Sequence, residues 1–176
     1  PRLKMNPPIR YATDRETLWK RLKDGTIECI ATDHAPHTLE NKALGFPTAH
    51  SGMPGVETSL PCMLTHAADG MCSVVEVARW MCEAPARVYG MQNKGRLVEG
   101  YDADLVLVDM EARRVVQDSD TWTRVGWTPF AGRELTGWPM YTIVDGQVVH
   151  KRVAGEPLRG TAVAAPGSAG RPLKFS

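Results

Sequence analysis

The sequence has little net charge, no long apolar run and no cluster of cysteines, and each absence excludes a class of protein. Its 176 residues carry a formal net charge of +1, which gives no electrostatic reason to expect binding to nucleic acid or to an acidic membrane. No stretch approaches the ~20 apolar residues that a membrane-spanning helix needs. None of the four cysteines forms a Cys-x-x-Cys pair, so we expect reduced core thiols in a cytoplasmic protein, without a disulfide framework or zinc knuckle.

One stretch concentrates the chemically useful side chains. The β-branched run at residues 26–30 follows a turn signal and predicts a short buried strand. Asp33, His34 and His37 come directly after it, and Pro36 cannot extend a strand because it has no N–H to donate. An α/β barrel places its catalytic groups at the carboxyl ends of its strands. Taken singly, such an acid is usually a turn cap and such a histidine a loop residue, so only the whole pattern points to a site.

Three segments of the sequence match known motifs. Residues 31–42 read ATDHAPHTLENK and fill every required position of a dihydroorotase signature: small residue, Ser/Thr, Asp, any residue, Ala-Pro-His, four residues, Lys. Residues 4–10 read KMNPPIR and resemble the dihydroorotase motif Lys-x-Asn-Pro-Pro-Leu-Arg, with Ile9 in place of Leu. Residues 94–109 read KGRLVEGYDADLVLVD and resemble the return of amidohydrolases to their small β domain. The chain is therefore similar to the dihydroorotases, within the metal-dependent cyclic amidohydrolases.

The resemblance also implies a fold. It implies an α/β protein, the C-terminal portion of a (β/α)₈ TIM-like metallo-hydrolase barrel plus a small β-sandwich accessory domain. We expect barrel strands and helices in residues 1–90, the small β domain in residues 91–154 and a flexible tail in residues 155–176. A complete barrel needs about 250 residues, so we expect the chain to be the C-terminal part of a longer protein.

The local sequence predicts elements that suit this fold. Thr13 and Glu16 form a capping box for a helix that ends at residues 24–25, which gives the strand–helix–strand order of a parallel crossover. Residues 45–54 are rich in Gly, Pro, Ser and Thr and predict a loop over the barrel mouth. The other predicted elements are a helix over 56–69, a helix opened by a Ser73–Glu76 capping box and running through Met81, a short helix over 83–90, a strand over 105–108 and a hairpin turning at Asp145-Gly146.

The resemblance assigns chemical roles to a few residues. Dihydroorotases interconvert N-carbamoyl-L-aspartate and L-dihydroorotate in pyrimidine (UMP) biosynthesis, with zinc polarising the amide carbonyl and a carboxylate moving the proton. The resemblance makes Asp33 that general base and acid, and also a metal ligand. It makes Asn6 and His37 substrate-binding residues and places Gly52 where the main chain approaches the substrate, which suits a glycine. We expect His34 to support the site structurally.

The metal site that the family implies is incomplete in this sequence. The family uses one or two Zn²⁺ ions, and a catalytic zinc usually needs three protein ligands. The sequence has five histidines and no His-x-His, and we set aside His50, Asp102 and Asp104 as loop and turn residues. We therefore expect the ligands other than Asp33 to precede Pro1, and the 176 residues alone to be inactive.

Three alternatives stay open. The first is another cyclic amidohydrolase, an allantoinase or a dihydropyrimidinase. The second is a non-catalytic, dihydroorotase-like scaffold subunit of aspartate transcarbamoylase, which the presence of Asn6, Asp33 and His37 disfavours. The third is a free-standing interaction module, which an incomplete barrel disfavours. A His-x-His in the upstream coding sequence would favour the enzyme over the scaffold.

The resemblance also implies the partners. We expect a small-molecule substrate, and either a homodimer or a complex with aspartate transcarbamoylase. We expect no partnership with nucleic acid or with a membrane.

Overall fold

A computed structural model describes residues 1–153, 160–163, 170 and 172–175, and divides them into a helical half and a sheet half. The helices are α1 Ala12–Lys23, α2 Leu39–Ala43, α3 Ser59–Ala68, α4 Val74–Ala78 and α5 Ala84–Val88, with a π-helical turn, Arg79–Glu83, joining α4 to α5. The strands are β1 Leu105–Val115, β2 Glu134–Val144, β3 Gln147–Lys151 and β4 Thr161–Ala162, and a short 3₁₀ turn covers Asp118–Asp120. No helix in this part of the chain is long and apolar enough to cross a membrane.

The strands form one antiparallel sheet in the order β1-β2-β3-β4. β2 and β3 are joined by the turn at Asp145 and Gly146, whose φ angles are 50° and 76°. Two consecutive positive φ angles are what a tight hairpin turn of the type favoured by Asp-Gly requires. The predicted hairpin is therefore confirmed, and β1 begins at Leu105 as predicted but extends to Val115.

Two of the predicted helix starts can be compared with the hydrogen bonds of the structure. The Ser73–Glu76 capping box is confirmed: the Ser73 N–H donates to Glu76 Oε2 at 2.7 Å, and the Glu76 N–H donates to Ser73 Oγ at 3.2 Å. The Thr13 box is wrong, because α1 begins two residues earlier, where the Tyr11 N–H donates to Asp14 Oδ2 at 3.1 Å. The aspartate is closer to the helix start than Glu16 and satisfies that N–H first.

The predicted strand over residues 26–30 is absent from the structure, and with it the parallel strand–helix–strand unit. The Ile27 N–H donates to Arg21 O at 2.9 Å and the Ile30 N–H to Trp80 O at 3.1 Å, so both amides bond to helical residues. A strand exists only through a neighbouring strand that pairs with its amides and carbonyls. No described segment offers such a ladder here, and Ile27 and Ile30 instead pack against the helical core.

Two apolar clusters hold the halves together. The helical cluster contains Leu22, Met63, Leu64, Cys72, Val77 and Trp80, and the sheet cluster contains Val116, Leu135 and Trp138. α3 packs on β2 where Gly137 has a φ of +84°, and a Cβ at this glycine would lie 2.6 Å from Leu64 Cβ. Beside this contact, the Thr136 N–H donates to Thr65 Oγ1 at 2.9 Å. The close approach therefore requires a glycine on the sheet side.

Part of the predicted tail, residues 155–176, is attached to the body. β4 pairs with β3 through His150 and Lys151. Phe175 forms an antiparallel bridge with Met91, and the Gln92 N–H donates to Lys174 O at 2.9 Å. The other residues for which a tail was predicted lie mostly outside the described residues.

Candidate active site

Three segments meet at one place, and they carry the residues that the sequence singled out. The Gly52 N–H donates to Lys4 O at 3.0 Å, which joins the loop over 45–54 to the segment that contains Asn6. The Ala35 N–H donates to Met53 O at 3.1 Å, and His34 and Met53 form a parallel bridge. The segments that carry Asn6, Asp33 with His37, and Gly52 are therefore adjacent, although they lie up to 46 positions apart in the sequence. We call the place where these three segments meet the junction.

Asp33 is exposed and has a φ of 42°, in the left-handed region. Few residue types other than glycine adopt this conformation, and aspartate is one that tolerates it. Within the described part of the chain, no hydrogen bond or ion pair to the Asp33 carboxylate is found. The carboxylate is thus accessible to a ligand.

His34 supports the backbone through one ring nitrogen. Its Nδ1 accepts the Gly55 N–H at 3.0 Å and the Val56 N–H at 3.2 Å. A nitrogen that accepts two amide protons must itself be unprotonated, so the neutral ring carries its proton on Nε2. These bonds fix the turn that leads into α3, which supports the structural role expected of His34.

Both the ring and the main-chain oxygen of His37 make hydrogen bonds. Its Nε2 lies 3.0 Å from Ser51 O, and because a carbonyl can only accept, Nε2 carries the proton. Its main-chain oxygen accepts the indole N–H of Trp127, which is fully buried, at 2.8 Å. Its ring packs edge-on against the ring of His50, with centroids 5.0 Å apart. In the neutral ring, Nδ1 is then the nitrogen that can accept from a substrate.

Gly52 is required by the packing of this junction. Its φ is +131°, and a Cβ there would lie 2.4 Å from Ala35 O and 3.1 Å from His37 Cδ2. A side chain at this position would therefore push the Asp33–His37 segment away. Because the Gly52 N–H is already donated to Lys4 O, a substrate contact by this residue falls to its carbonyl oxygen and remains a prediction.

Lys42 is a site residue that the sequence marked only as a motif position. Its side chain is 1% exposed, and its Nζ donates to three carbonyl oxygens: Lys4 O at 3.0 Å, His50 O at 2.8 Å and Gly52 O at 2.9 Å. Burial lowers the pKa of Lys42, and the nearby charge of Lys4 lowers it further. The usable signal in the sequence was the fixed spacing of this lysine after the Asp and His of the motif.

Lys4 makes a second set of bonds to the same loop. Its Nζ donates to Ala49 O at 2.5 Å and to Pro47 O, and lies 5.6 Å from the centroid of the Phe46 ring. Two lysine ammonium groups therefore hold residues 46–52 against the segments that carry Asn6 and His37. Neither lysine has a carboxylate partner among the residues that the structure describes.

The residues at this junction can supply one ligand to a metal centre and do not form a complete metal site. Across the described ranges there is no group of three or more His, Cys, Asp and Glu residues that could hold a metal ion. Asp33 is one exposed carboxylate, whereas a catalytic zinc usually has three protein ligands. Asp102 and Asp104, which resemble a metal motif in the sequence, both pair with Lys94. Asp33 can thus contribute one ligand to a larger set.

An apolar cavity of about 300 Å³ lies beside the junction, with walls that include Met5, Thr32, Met53 and Phe130. Cys62 also lines it, and burial raises the pKa of this thiol to about 11. A thiol with so high a pKa stays protonated near neutral pH and is a poor nucleophile. Cys62 is therefore a poor candidate for a nucleophile, and Asp33 and His37 stay the residues predicted to carry the chemistry.

The described structure is similar to a known hydrolase. It superposes on the L-hydantoinase (dihydropyrimidinase) from Arthrobacter aurescens with a TM-score of 0.84 and 35% sequence identity, covering 93% of this chain and 36% of that one. This similarity supports the predicted fold class at the level of a fragment of a TIM-barrel metallo-hydrolase.

Sequence comparison agrees with the motifs. The chain is 40% identical over 153 residues to the dihydroorotase of Bacillus cytotoxicus, covering 86% of this chain and 36% of that protein. It is 44% identical over 146 residues to the dihydroorotase of Halobacterium salinarum, covering 83% of this chain and 34% of that protein. The chain thus spans about a third of the length of these curated relatives.

A family model extends the comparison from single relatives to the family. The model described as "Amidohydrolase family" matches residues 9–149, which include Asp33, His37, Gly52 and most of the sheet. The resemblance inferred from the motifs is therefore confirmed, and the chain belongs to the amidohydrolase family.

Proposed function

We propose that the complete protein is a dihydroorotase, which reversibly hydrolyses L-dihydroorotate to N-carbamoyl-L-aspartate in pyrimidine biosynthesis. The observation that carries the proposal is the 40–44% identity to dihydroorotases over 83–86% of the chain. The adjacency of the Asn6, Asp33 and Gly52 segments supports it, because residues of one binding site must converge in space.

We propose Asp33 as the general base and acid. Its exposed carboxylate can accept a proton from an attacking water and deliver it to the ring nitrogen that leaves. In the complete centre, a bound zinc ion supplies polarisation of the amide carbonyl and a more acidic water. Asp33 is the ligand that this chain contributes, and the remaining ligands are proposed to come from residues outside the present sequence.

The substrate is proposed to bind through Asn6, His37 and the main chain at Gly52. The His37 ring has its Nε2–H committed to Ser51 O, so its Nδ1 is the group offered to the substrate. Lys4 and Lys42 place two positive charges beside this loop without a carboxylate partner in the described chain. Such a field favours an anionic ligand, and dihydroorotate carries a carboxylate.

A second candidate function is that of a dihydropyrimidinase. The structural similarity to the L-hydantoinase (dihydropyrimidinase) favours it, at a TM-score of 0.84. Its ring substrates lack the carboxylate, however, and would gain less from the two lysine charges. The 40–44% identity to dihydroorotases is also higher than the 35% identity to the hydantoinase.

One assay separates the two candidates. The complete, zinc-replete protein is given dihydroorotate and dihydrouracil under the same conditions, and ring opening is followed for each. We expect turnover of dihydroorotate at a kcat/KM at least tenfold above that for dihydrouracil. Preference for dihydrouracil would assign the second function, and turnover of neither by metal-replete protein would favour the non-catalytic scaffold.

We extend the proposal to the assembly and the location of the protein. The four-stranded sheet is proposed to be part of a small β-sandwich accessory domain. The complete protein is proposed to work in the cytoplasm as a homodimer or in a complex with aspartate transcarbamoylase. Co-purification with aspartate transcarbamoylase would indicate the complex. A molar mass of two chains for the isolated protein would indicate the homodimer.

A further inference from the structure

We infer that Lys42 is a positioning residue of the candidate site, whose buried ammonium holds the three substrate-binding segments in register. The inference rests on the proposed function, because it assigns Lys42 an effect on dihydroorotate binding. The environment of Lys42 is unusual for a lysine. The residue is 1% exposed, and it has no carboxylate partner within the described chain.

The hydrogen bonds of Lys42 show how it acts. An ammonium group has three N–H donors, and here all three are used, by Lys4 O, His50 O and Gly52 O. Lys42 therefore has no donor left for a substrate or for a water in the site. Its influence must pass through the three carbonyl groups that it holds.

Each of these carbonyl groups belongs to a segment that carries or contacts a predicted site residue. Lys4 lies two positions before Asn6. The ring of His50 packs on the ring of His37, and Gly52 packs against His37 Cδ2. One ammonium thus fixes the distances between the groups that are proposed to hold the ring and the carboxylate of the substrate.

The position of Lys42 on α2 completes this arrangement. α2 begins directly after His37, with Thr38 as its N-cap accepting the Asn41 N–H at 3.3 Å. The helix carries Lys42 from the motif segment back to the loop, so a single turn of helix links His37 to the carbonyl groups. The four-residue spacing between His37 and Lys42 in the sequence is therefore explained by geometry.

The test uses the complete, metal-replete protein with Lys42→Met, which keeps most of the length of the side chain and removes its donors. We expect the KM for dihydroorotate to rise at least about tenfold, the change expected when one hydrogen-bonding group of the site is displaced from the substrate. A merely structural lysine would lower the amount of folded enzyme, and hence the maximal rate, at an unchanged KM. Lys20→Met, on the exposed face of α1, is the control and should leave KM unchanged.

A second variant, Lys42→Gln, makes the test independent of whether Lys42→Met folds. Lys42→Gln retains part of the donors and should give an intermediate KM, and it replaces Lys42→Met if that variant does not fold. An unchanged KM in a folded variant overturns the inference, as does failure of both variants to fold, which would make Lys42 a residue of stability alone.

Amide hydrogen exchange separates this inference from the proposed function. In the substrate-free protein, Lys42→Met should speed exchange over residues 45–53 and leave the β2–β3 hairpin unchanged. If the wild-type protein does not turn over dihydroorotate, the proposed function fails while faster exchange still supports the positioning of the loop. Active wild-type protein with unchanged exchange in Lys42→Met would overturn the positioning role alone.

Discussion

At the scale of single residues, His34 and His37 stand three positions apart and make opposite kinds of hydrogen bond. His34 Nδ1 accepts two amide protons, from Gly55 and Val56, and is fully committed to the backbone. His37 Nε2 donates to Ser51 O, which leaves its Nδ1 as an acceptor for a ligand. Identical side chains in one motif therefore have different expected functions, and the difference comes from which nitrogen meets which backbone group.

Substitution of the two histidines by alanine should separate these functions. In the complete protein, His37→Ala should lower kcat/KM for dihydroorotate about ten- to hundredfold, because one or two hydrogen bonds to the substrate are lost. Asn6→Ala should lower kcat/KM by a similar factor, and zinc content should stay at the wild-type level in both variants.

His34→Ala should change kcat/KM less than these two variants and should lower the unfolding temperature. Metal analysis beside steady-state kinetics checks this, and zinc lost in proportion to activity in His37→Ala would make His37 a metal ligand.

Asp33→Asn tests the proton-transfer role at nearly constant shape. Asparagine tolerates the left-handed φ of 42°, so the backbone conformation should persist while the proton acceptor is lost. We expect turnover to fall roughly 10²–10⁴-fold, the usual contribution of general acid–base catalysis. The measurement is kcat of purified, metal-replete protein, with Asp69→Asn at the exposed end of α3 as the matched control. Near-normal turnover in Asp33→Asn would remove this carboxylate from the mechanism.

Gly52→Ala tests the packing of the junction. Gly52 and Gly70 both have positive φ angles, of 131° and 76°, but only the Cβ at position 52 would meet other atoms, with Ala35 O at 2.4 Å. We expect Gly52→Ala to destabilise the complete protein by about 2–4 kcal/mol, and Gly70→Ala by about 1–2 kcal/mol from backbone strain alone. Equal losses in chemical denaturation would show that the contact with Ala35 relaxes freely.

At the scale of elements, local hydrogen bonding decided which predictions held. The Ser73–Glu76 box and the Asp145-Gly146 hairpin depend on residues within four positions of each other, and both are confirmed. The strand over 26–30 depends on a partner far away in the sequence, and it is wrong. A pattern of β-branched residues indicates that a segment can pair and carries no information on whether a partner is present.

The capping box at α4 should make stability depend on pH in a predictable direction. Hydrogen bonds from the Ser73 N–H and hydroxyl lower the pKa of Glu76 in the folded chain. Its contribution is therefore present above the pKa of an unfolded glutamate and is lost as the pH falls through the lower folded pKa. Glu76→Gln should show a smaller drop in unfolding temperature between pH ~7 and ~3 than wild type. Glu16→Gln on α1 is the control, and an equal drop in wild type and Glu76→Gln would contradict the assignment.

At the scale of the whole molecule, two halves of different character meet at a tight contact between α3 and β2. α3 reaches β2 through Leu64 against Gly137 and through the hydrogen bond between Thr65 and Thr136. Large apolar side chains stay exposed on the helical half, with Tyr11 80% and Phe46 87% accessible. We predict that these side chains contact another part of the complete protein, since large exposed apolar surface often marks such a contact.

The 176 residues by themselves should therefore behave differently from the complete protein. We expect the isolated chain to bind a hydrophobic fluorescent dye strongly, to self-associate and to lack dihydroorotase activity. Large apolar side chains such as Tyr11 and Phe46 are exposed, and Asp33 is one carboxylate where a catalytic zinc usually has three protein ligands. Sedimentation velocity, dye fluorescence and zinc analysis on both proteins check this. A compact, zinc-loaded monomer of the isolated chain would contradict it.

The sequence by itself determined the family, the Ser73–Glu76 cap, the Asp145-Gly146 turn and the identity of the candidate residues. These follow from contiguous motifs such as residues 31–42 and from bonds between near neighbours, so they can be read without the fold. Only the tertiary structure decided that the pairing partner of residues 26–30 is missing from the described chain, that His34 is committed to backbone amides and that Lys42 holds three carbonyl groups. The reason is physical: each of these outcomes depends on which distant backbone groups approach within hydrogen-bond distance, and the order of residues along the chain does not specify that.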